Sequence, residues 1–123
     1  MFETAKAFGS FAVDDLAAAR KFYGQTLGLR VSEEGGPHML HLAGDQRILV
    51  SPKPDHMPAS FTILNFPVDD IDQAVDELTA RGVPIQRYEG FQTDARGIYR
   101  GQGRLIAWFT DPAGNVLSVV QEG

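Results

Sequence analysis

The sequence predicts an α+β fold made of two tandem βαβββ halves, and two observations predict it. The stretch Phe11-Ala12-Val13-Asp14-Asp15-Leu16 returns as Phe66-Pro67-Val68-Asp69-Asp70-Ile71, about 55 residues further on. Each copy is followed by an amphipathic run, a glycine and a short apolar run. These close as Leu27-Gly28-Leu29-Arg30-Val31 in the first half and Arg81-Gly82-Val83-Pro84-Ile85 in the second. At 123 residues the chain is the size of one ordinary domain. It reads as a single domain over 1–123, with one module over about 1–53, a linker over about 53–60 and a second module over about 61–123.

Residues 6–13 read as a strand, with Phe11 and Val13 on one face and Phe8, Ser10 and Ala12 on the other. Asp14 or Asp15 supplies a carboxylate cap to the free amides of the next turn. Leu16, Ala19, Tyr23 and Leu27 form one apolar helical stripe, and Gly28 stops it, because glycine enters the left-handed conformation without a Cβ clash. Residues 29–32 are a short strand and 33–37 a turn. His38–Ala43 and Arg47–Ser51 make a hairpin about Gly44-Asp45.

Lys53-Pro54-Asp55-His56-Met57-Pro58 is the linker, stiffened by two prolines. The second half then repeats the plan. Phe61–Val68 is a strand, Asp69 or Asp70 the cap, Ile71, Ala74, Val75 and Leu78 the stripe, Gly82 the stop and Val83–Tyr88 a strand. Residues 89–103 form a long glycine-rich connection; loops of this length are uncommon without a purpose, and a lid is one such purpose. Arg104–Phe109 and Val116–Val120 are the last strands, joined through Asp111-Pro112-Ala113-Gly114-Asn115.

Composition narrows the function classes. Hydrophobic residues at 43% and charged ones at 22% are those of a folded domain. A net charge of −5 argues against a nucleic-acid surface, which needs clustered Lys and Arg. No apolar run approaches the ~20 residues that cross a bilayer. Without cysteine there is neither a disulfide framework nor thiolate chemistry. These features predict a cytoplasmic protein with no nucleic-acid or membrane partner.

The repeat, the helix Asp15-Leu16…Phe22-Tyr23…Leu27-Gly28-Leu29 and the closing Phe109-Thr110-Asp111-Pro112-Ala113-Gly114-Asn115 resemble the vicinal oxygen chelate superfamily. That group includes glyoxalase I, extradiol dioxygenases, fosfomycin-resistance enzymes and bleomycin-resistance proteins. The resemblance covers essentially the whole chain, and its motifs are capping and turn residues. It implies that the two sheets form an open cup or incomplete barrel with the helices outside, and that the chain is a homodimer. It also implies a divalent metal, held by His and Glu from four strand positions and acting as a Lewis acid. Those positions fall on Phe8, on Leu49 to within one residue, on Ile63 and on Ser118. Three have no donor atom and a serine hydroxyl is a poor ligand, so no metal and no cofactor is expected.

The period-2 pattern places Phe8, Ser10, Ala12, Phe61, Ile63, Asn65, Arg47, Leu49, Ser51, Val116, Ser118 and Val120 on the inner face. Apolar walls with isolated polar groups describe a small-molecule site, the preferred reading, and also a face covered by a dimer partner. Trp108 stacks on a flat ligand or serves as a core aromatic, depending on its face. Of the histidines, His38 and His41 face opposite sides of a strand and His56 lies in the linker, so all three read as surface groups rather than a displaced metal site. Arg96, Arg100 and Arg104 recur through the glycine-rich connection; such arginines are more often solvated or tied to loop carbonyls, and if the loop closes over the cup Arg100 or Arg104 offers a charge for a ligand carboxylate or phosphate. His41 and Glu89 are the general-base candidates. Asp14-Asp15 and Asp69-Asp70 are better explained as caps than as paired catalytic carboxylates.

Three readings follow. The first is a metal-free protein that binds a small organic ligand, similar to the bleomycin-resistance members. The second is a glyoxalase-like lyase, isomerase or dioxygenase with a metal-free or rebuilt site, using His41 or Glu89 as base and Arg100 or Arg104 for an oxyanion. The third is a dimerising structural or regulatory module. Turnover and the identity of the ligand stay open at this point.

Overall fold

Asp15 and Asp70 turn the chain out of the first strand of each half in the same way. Their backbones adopt φ/ψ of −136°/102° and −137°/103°, and their carboxylates accept from the amides of Ala18 at 3.1 Å and Gln73 at 3.2 Å. Each thus holds an amide that the helix itself leaves without a partner. The structure is a computed structural model that describes residues 1–33 and 35–122. Glu34, within the turn expected over 33–37, lies outside the described residues.

The chain divides into two compact units, Met1–Met57 and a second from Pro58 onward. The first holds β1 (Gly9–Val13), α1 (Leu16–Arg20), β2 (Arg30–Glu33), β3 (His38–His41) and β4 (Arg47–Pro52). Its sheet order is β1-β4-β3-β2, with β1 parallel to β4 and the other pairs antiparallel. The second holds β5 (Thr62–Pro67), α2 (Ile71–Ala80), β6 (Tyr99–Gly101), β7 (Arg104–Thr110) and β8 (Val116–Glu122), in the order β5-β8-β7-β6. The parallel pair is again the first and last strand. Two βαβββ units are present, as the repeat predicts. No helix among the described residues is long and apolar enough to cross a membrane, which says nothing about strands.

Each sheet packs one face on its helix. In the first unit Val13, Leu40, Val50 and Tyr23 are almost fully buried, and Phe11 meets Tyr23 with ring centres 5.7 Å apart. In the second, Ile71, Val75 and Leu78 of α2 are buried, as are Ala107, Phe109, Leu117 and Val119 on the sheet. Burying each Val, Leu, Ile or Phe side chain among them contributes about 1.5–3 kcal/mol.

Three local expectations need correction. The helix after Asp15 is α-helical only to Arg20 and continues as a wider π-turn over Lys21–Thr26, where the Leu27 amide bonds the Phe22 carbonyl at 2.9 Å. Adjacent Phe22 and Tyr23 are both buried within it. Residues 83–88 do not make a strand; their one backbone bridge to the sheet among the described residues is Gln86–Trp108. Pro84 lacks the amide a ladder needs, and the strand forms later, at Tyr99–Gly101, inside the stretch expected to be loop. Finally, the β5–β8 register shifts between Thr62 and Leu64, a bulge at Ile63.

Candidate functional site

The bulge at Ile63 decides which side chains share the open face of the second sheet, the face away from α2. Thr62 pairs with Val116 and Asn65 with Ser118, while Trp108 lies directly opposite Ser118 on β7. Trp108, 8% exposed, donates its indole N–H to Thr62 Oγ1 at 3.2 Å. Ser118, fully buried, donates to Asn65 Oδ1 at 2.6 Å. Thr62, not Ile63, therefore occupies the Trp108 face, and Ile63 is the extra residue of the bulge.

Three more aromatic rings gather on Trp108. Phe91 lies 5.0 Å from it, Tyr88 5.9 Å and Tyr99 6.1 Å, while Phe91 meets Tyr99 edge-on at 5.3 Å. Burial pushes the Tyr88 phenol up from its ordinary value. Phe91 is 46% exposed, so this aromatic group has one wall buried and one wall open to solvent.

The connection carrying Phe91 is held in place by charge. The Arg87 guanidinium donates to Thr93 Oγ1 and to the carbonyls of Asp94 and Ala95, each at 2.8 Å. Asp94 accepts from the amides of Arg96 at 2.9 Å and Ile98 at 3.0 Å, and from Arg100 Nε at 3.0 Å. The Ile98 amide, followed by the Arg100 guanidinium and the Arg96 amide, holds the Asp94 carboxyl below its ordinary range. Arg96 reaches Asp72 and Asp76 on α2.

In the first unit the face away from α1 carries Ser10, Ala12, Ser32, Met39, His41, Arg47, Leu49 and Ser51. His41 Nε2 lies 2.8 Å from Ser32 Oγ, and the Arg30 guanidinium lies 3.3 and 3.4 Å from its two ring nitrogens. Phe8, just before β1 and 51% exposed, sits under the Arg47 guanidinium at 5.1 Å.

The predicted residues thus divide. Asn65, Trp108 and Ser118 are brought together, as are Phe8 with Arg47 and Ser10 with Leu49, and Ser51 lies opposite Ala12. Arg100 pairs with Leu105, which puts it on the α2 side beside Asp94 and Asp72 rather than with Trp108. Arg104 is at the far end of β7, paired with Glu122 at 3.3 Å. Glu89 is exposed in a turn, and His41 belongs to the other unit. Sequence reasoning missed Thr62, Tyr88, Phe91 and Tyr99 at the aromatic site, and Arg30 and Ser32 beside His41. Phe91 and Tyr99, aromatics within a glycine-rich connection, were the available signal.

The residues at the four implied metal positions do not fit a divalent ion. Phe8, Leu49 and Ile63 offer no donor, and the Ser118 hydroxyl is engaged by Asn65. Among the described residues no group of three or more His, Cys, Asp or Glu side chains is placed to hold a metal ion.

A family model of the Glyoxalase/Bleomycin resistance protein/Dioxygenase superfamily matches residues 7–119. No curated protein matches the chain in sequence. Among solved structures, a glyoxalase family protein from Bacillus anthracis is similar over 100% of both chains, at 20% identity and a TM-score of 0.74. An antibiotic binding protein from a Streptomyces species is similar over 98% of both, at 24% identity and 0.72. A fosfomycin resistance protein from Listeria monocytogenes is similar over 94% of this chain and 89% of its own, at 14% identity and 0.72. At these identities the likeness establishes the fold.

Proposed function

Because the chain belongs to the glyoxalase/bleomycin resistance protein/dioxygenase superfamily, we propose that it is a small-molecule-binding protein of that group. It takes a partly flat organic ligand against the Trp108 face of its second sheet, with no divalent metal. One observation carries this reading: Tyr88, Phe91, Tyr99 and Trp108 converge on one another beside the Thr62 hydroxyl and the Ser118–Asn65 pair. Aromatic walls with a few polar groups suit a planar ligand, held by stacking and oriented by one or two hydrogen bonds. The donor-poor residues at the implied metal positions support the metal-free part. The antibiotic-binding and fosfomycin-resistance structures support a small molecule as the partner.

Trp108 is the only tryptophan, so its fluorescence reports on the site directly. A titration in the presence of chelator with a panel of planar aromatic compounds is expected to give saturable quenching for at least one. Failure of the whole panel overturns the reading.

A second reading, a glyoxalase-like lyase, isomerase or dioxygenase with a rebuilt site, draws on the 2.8 Å approach of His41 to Ser32, a base within reach of a hydroxyl. A stoichiometric transition metal in protein purified without chelator favours it over the first. The proposal extends to a cytoplasmic homodimer, consistent with a cysteine-free, acidic chain. Solution mass tests the dimer.

A further inference from the structure

Of the arginines in this chain, Arg20, Arg81, Arg96, Arg100 and Arg104 each pair with a carboxylate. Arg87 is spent on the carbonyls of its own connection. Arg30 and Arg47 remain, with no carboxylate partner among the described residues. They are not scattered. Arg30 is the strand partner of His41, and His41 is the strand partner of Arg47. The three form one row across β2, β3 and β4, on the face away from α1.

We infer that this row is a binding site for an oxyanion, the carboxylate or the phosphate-type group of a small ligand. Adjacent strands lie about 4.8 Å apart, so the two arginine backbones flank His41 at a span of about 10 Å. Two guanidinium forks on long stems close that span over one oxyanion, each presenting paired N–H donors. The Arg30 guanidinium already lies against the imidazole, and the Ser32 hydroxyl lies 2.8 Å from its Nε2. The Arg47 guanidinium rests instead over Phe8 beside β1, so an oxyanion between the two arginines draws both side chains inward over His41. In a chain of net charge −5, two guanidiniums in one row without a carboxylate partner among the described residues form a local field opposite to that of the whole.

The row also has room beside it. At its Arg47 end the surface sinks into an open hollow of about 740 Å³, lined by Lys6, Phe8, Asp45, Gln46 and Arg47. Lys6 adds a third cation there, and the exposed Phe8 ring, held under Arg47, offers a flat surface to the organic part of a ligand. Asp45 is the one carboxylate on this rim. The inference stands on the first unit alone and does not depend on the aromatic site of the second.

The test is an amide NMR titration of the full chain at fixed ionic strength, with inorganic phosphate in one arm, benzoate in another and chloride as the control. Saturable shifts are expected at residues 30–32, 39–41 and 46–48, with millimolar or tighter dissociation constants. In the Arg30→Gln/Arg47→Gln variant the constant is expected to rise at least tenfold. Saturation by phosphate alone assigns a tetrahedral group, by benzoate alone a carboxylate. Shifts no larger than those of chloride, or a variant that binds like the wild type, overturn the inference. Arg30→Lys guards against a folding artefact: it keeps the charge, loses the fork and is expected to fall between the two. Trp108 fluorescence with the aromatic panel is read separately, so failure at the arginine row and failure at the aromatic site are distinguishable.

Discussion

The ring of Phe91 lies 5.0 Å from the indole of Trp108, tilted 54° to it, and the two differ sharply in burial at 46% and 8% exposure. In the proposed site one ring is the fixed floor and the other its replaceable cover. Phe91→Ala is therefore expected to cost under about 1 kcal/mol in stability, because a half-exposed ring forfeits little burial. The same change weakens a stacking ligand about three- to tenfold, the worth of one aromatic pair. Trp108→Ala is expected to cost about 3–5 kcal/mol, since it opens a cavity and leaves Thr62 without its donor. Chemical denaturation and calorimetric ligand titration of both variants separate cover from floor.

The connection bearing Phe91 is expected to loosen in acid. The Asp94 carboxyl is held below its ordinary value chiefly by the Ile98 amide. A group depressed on folding stabilises fully above its unfolded value, near 3.8, and loses that contribution as pH falls through the lower folded value. Protonated Asp94 would also release Arg100, which shares its second oxygen. Trp108 emission followed from pH 6 to pH 2 is expected to show a step below about pH 3.8 that precedes global unfolding. In Asp94→Asn the step is absent and the emission at neutral pH already resembles the acid form.

The halves, their caps and their helix stops were legible in the sequence because each rests on local chemistry. Asp15 and Asp70 cap whatever helix follows them, and Gly28 and Gly82 take φ of 78° and 82° whatever lies across the sheet. The inner face was legible wherever strict alternation holds, as for Ser10, Leu49, Asn65 and Ser118. It failed at Ile63, where one extra residue shifts Thr62 onto the Trp108 face. A bulge is settled by the partner strand, and no residue near Ile63 advertises it. The aromatic site was illegible for a related reason: Phe91 reaches Trp108 only because Arg87 and Asp94 fold the connection back. Arg30 escaped notice because its place beside His41 follows from the register of β2 on β3, which alternation along one strand leaves free.

Two glycines with nearly the same backbone angle are expected to respond differently to alanine. Gly28 has φ of 78°, and a Cβ added there would meet nothing within 4 Å, so Gly28→Ala carries only the left-handed penalty of about 1 kcal/mol. Gly97 has φ of 85°, and a Cβ there would lie 2.7 Å from Ile85 Cγ2. Gly97→Ala adds a steric clash in the connection that positions Phe91, for a total of about 2–3 kcal/mol. Denaturation midpoints give both costs, and only the Gly97 variant is expected to shift Trp108 emission in the folded state.

Asp111 and Asn115 form the closing turn, and their role is structural. Asp111 Oδ1 accepts from the amides of Ala113 and Asn115, both at 2.9 Å, and Oδ2 accepts from Asn115 Nδ2 at 2.9 Å. Both residues are nearly fully buried, so water cannot replace a lost partner. Asp111→Asn sets one amide nitrogen against another and is expected to cost about 2–3 kcal/mol. Exchanging the two residues, Asp111→Asn with Asn115→Asp, restores one side-chain bond while leaving an acceptor at 111 for the backbone amides. The double variant is therefore expected to be more stable than the sum of the single changes predicts, by about 1 kcal/mol in a mutant cycle. Ligand binding at a temperature where all variants are folded is expected to stay within about twofold of wild type, because Asp111 and Asn115 are not part of the Phe91–Trp108 stack. A loss of binding without a loss of stability would instead place Asp111 in the site.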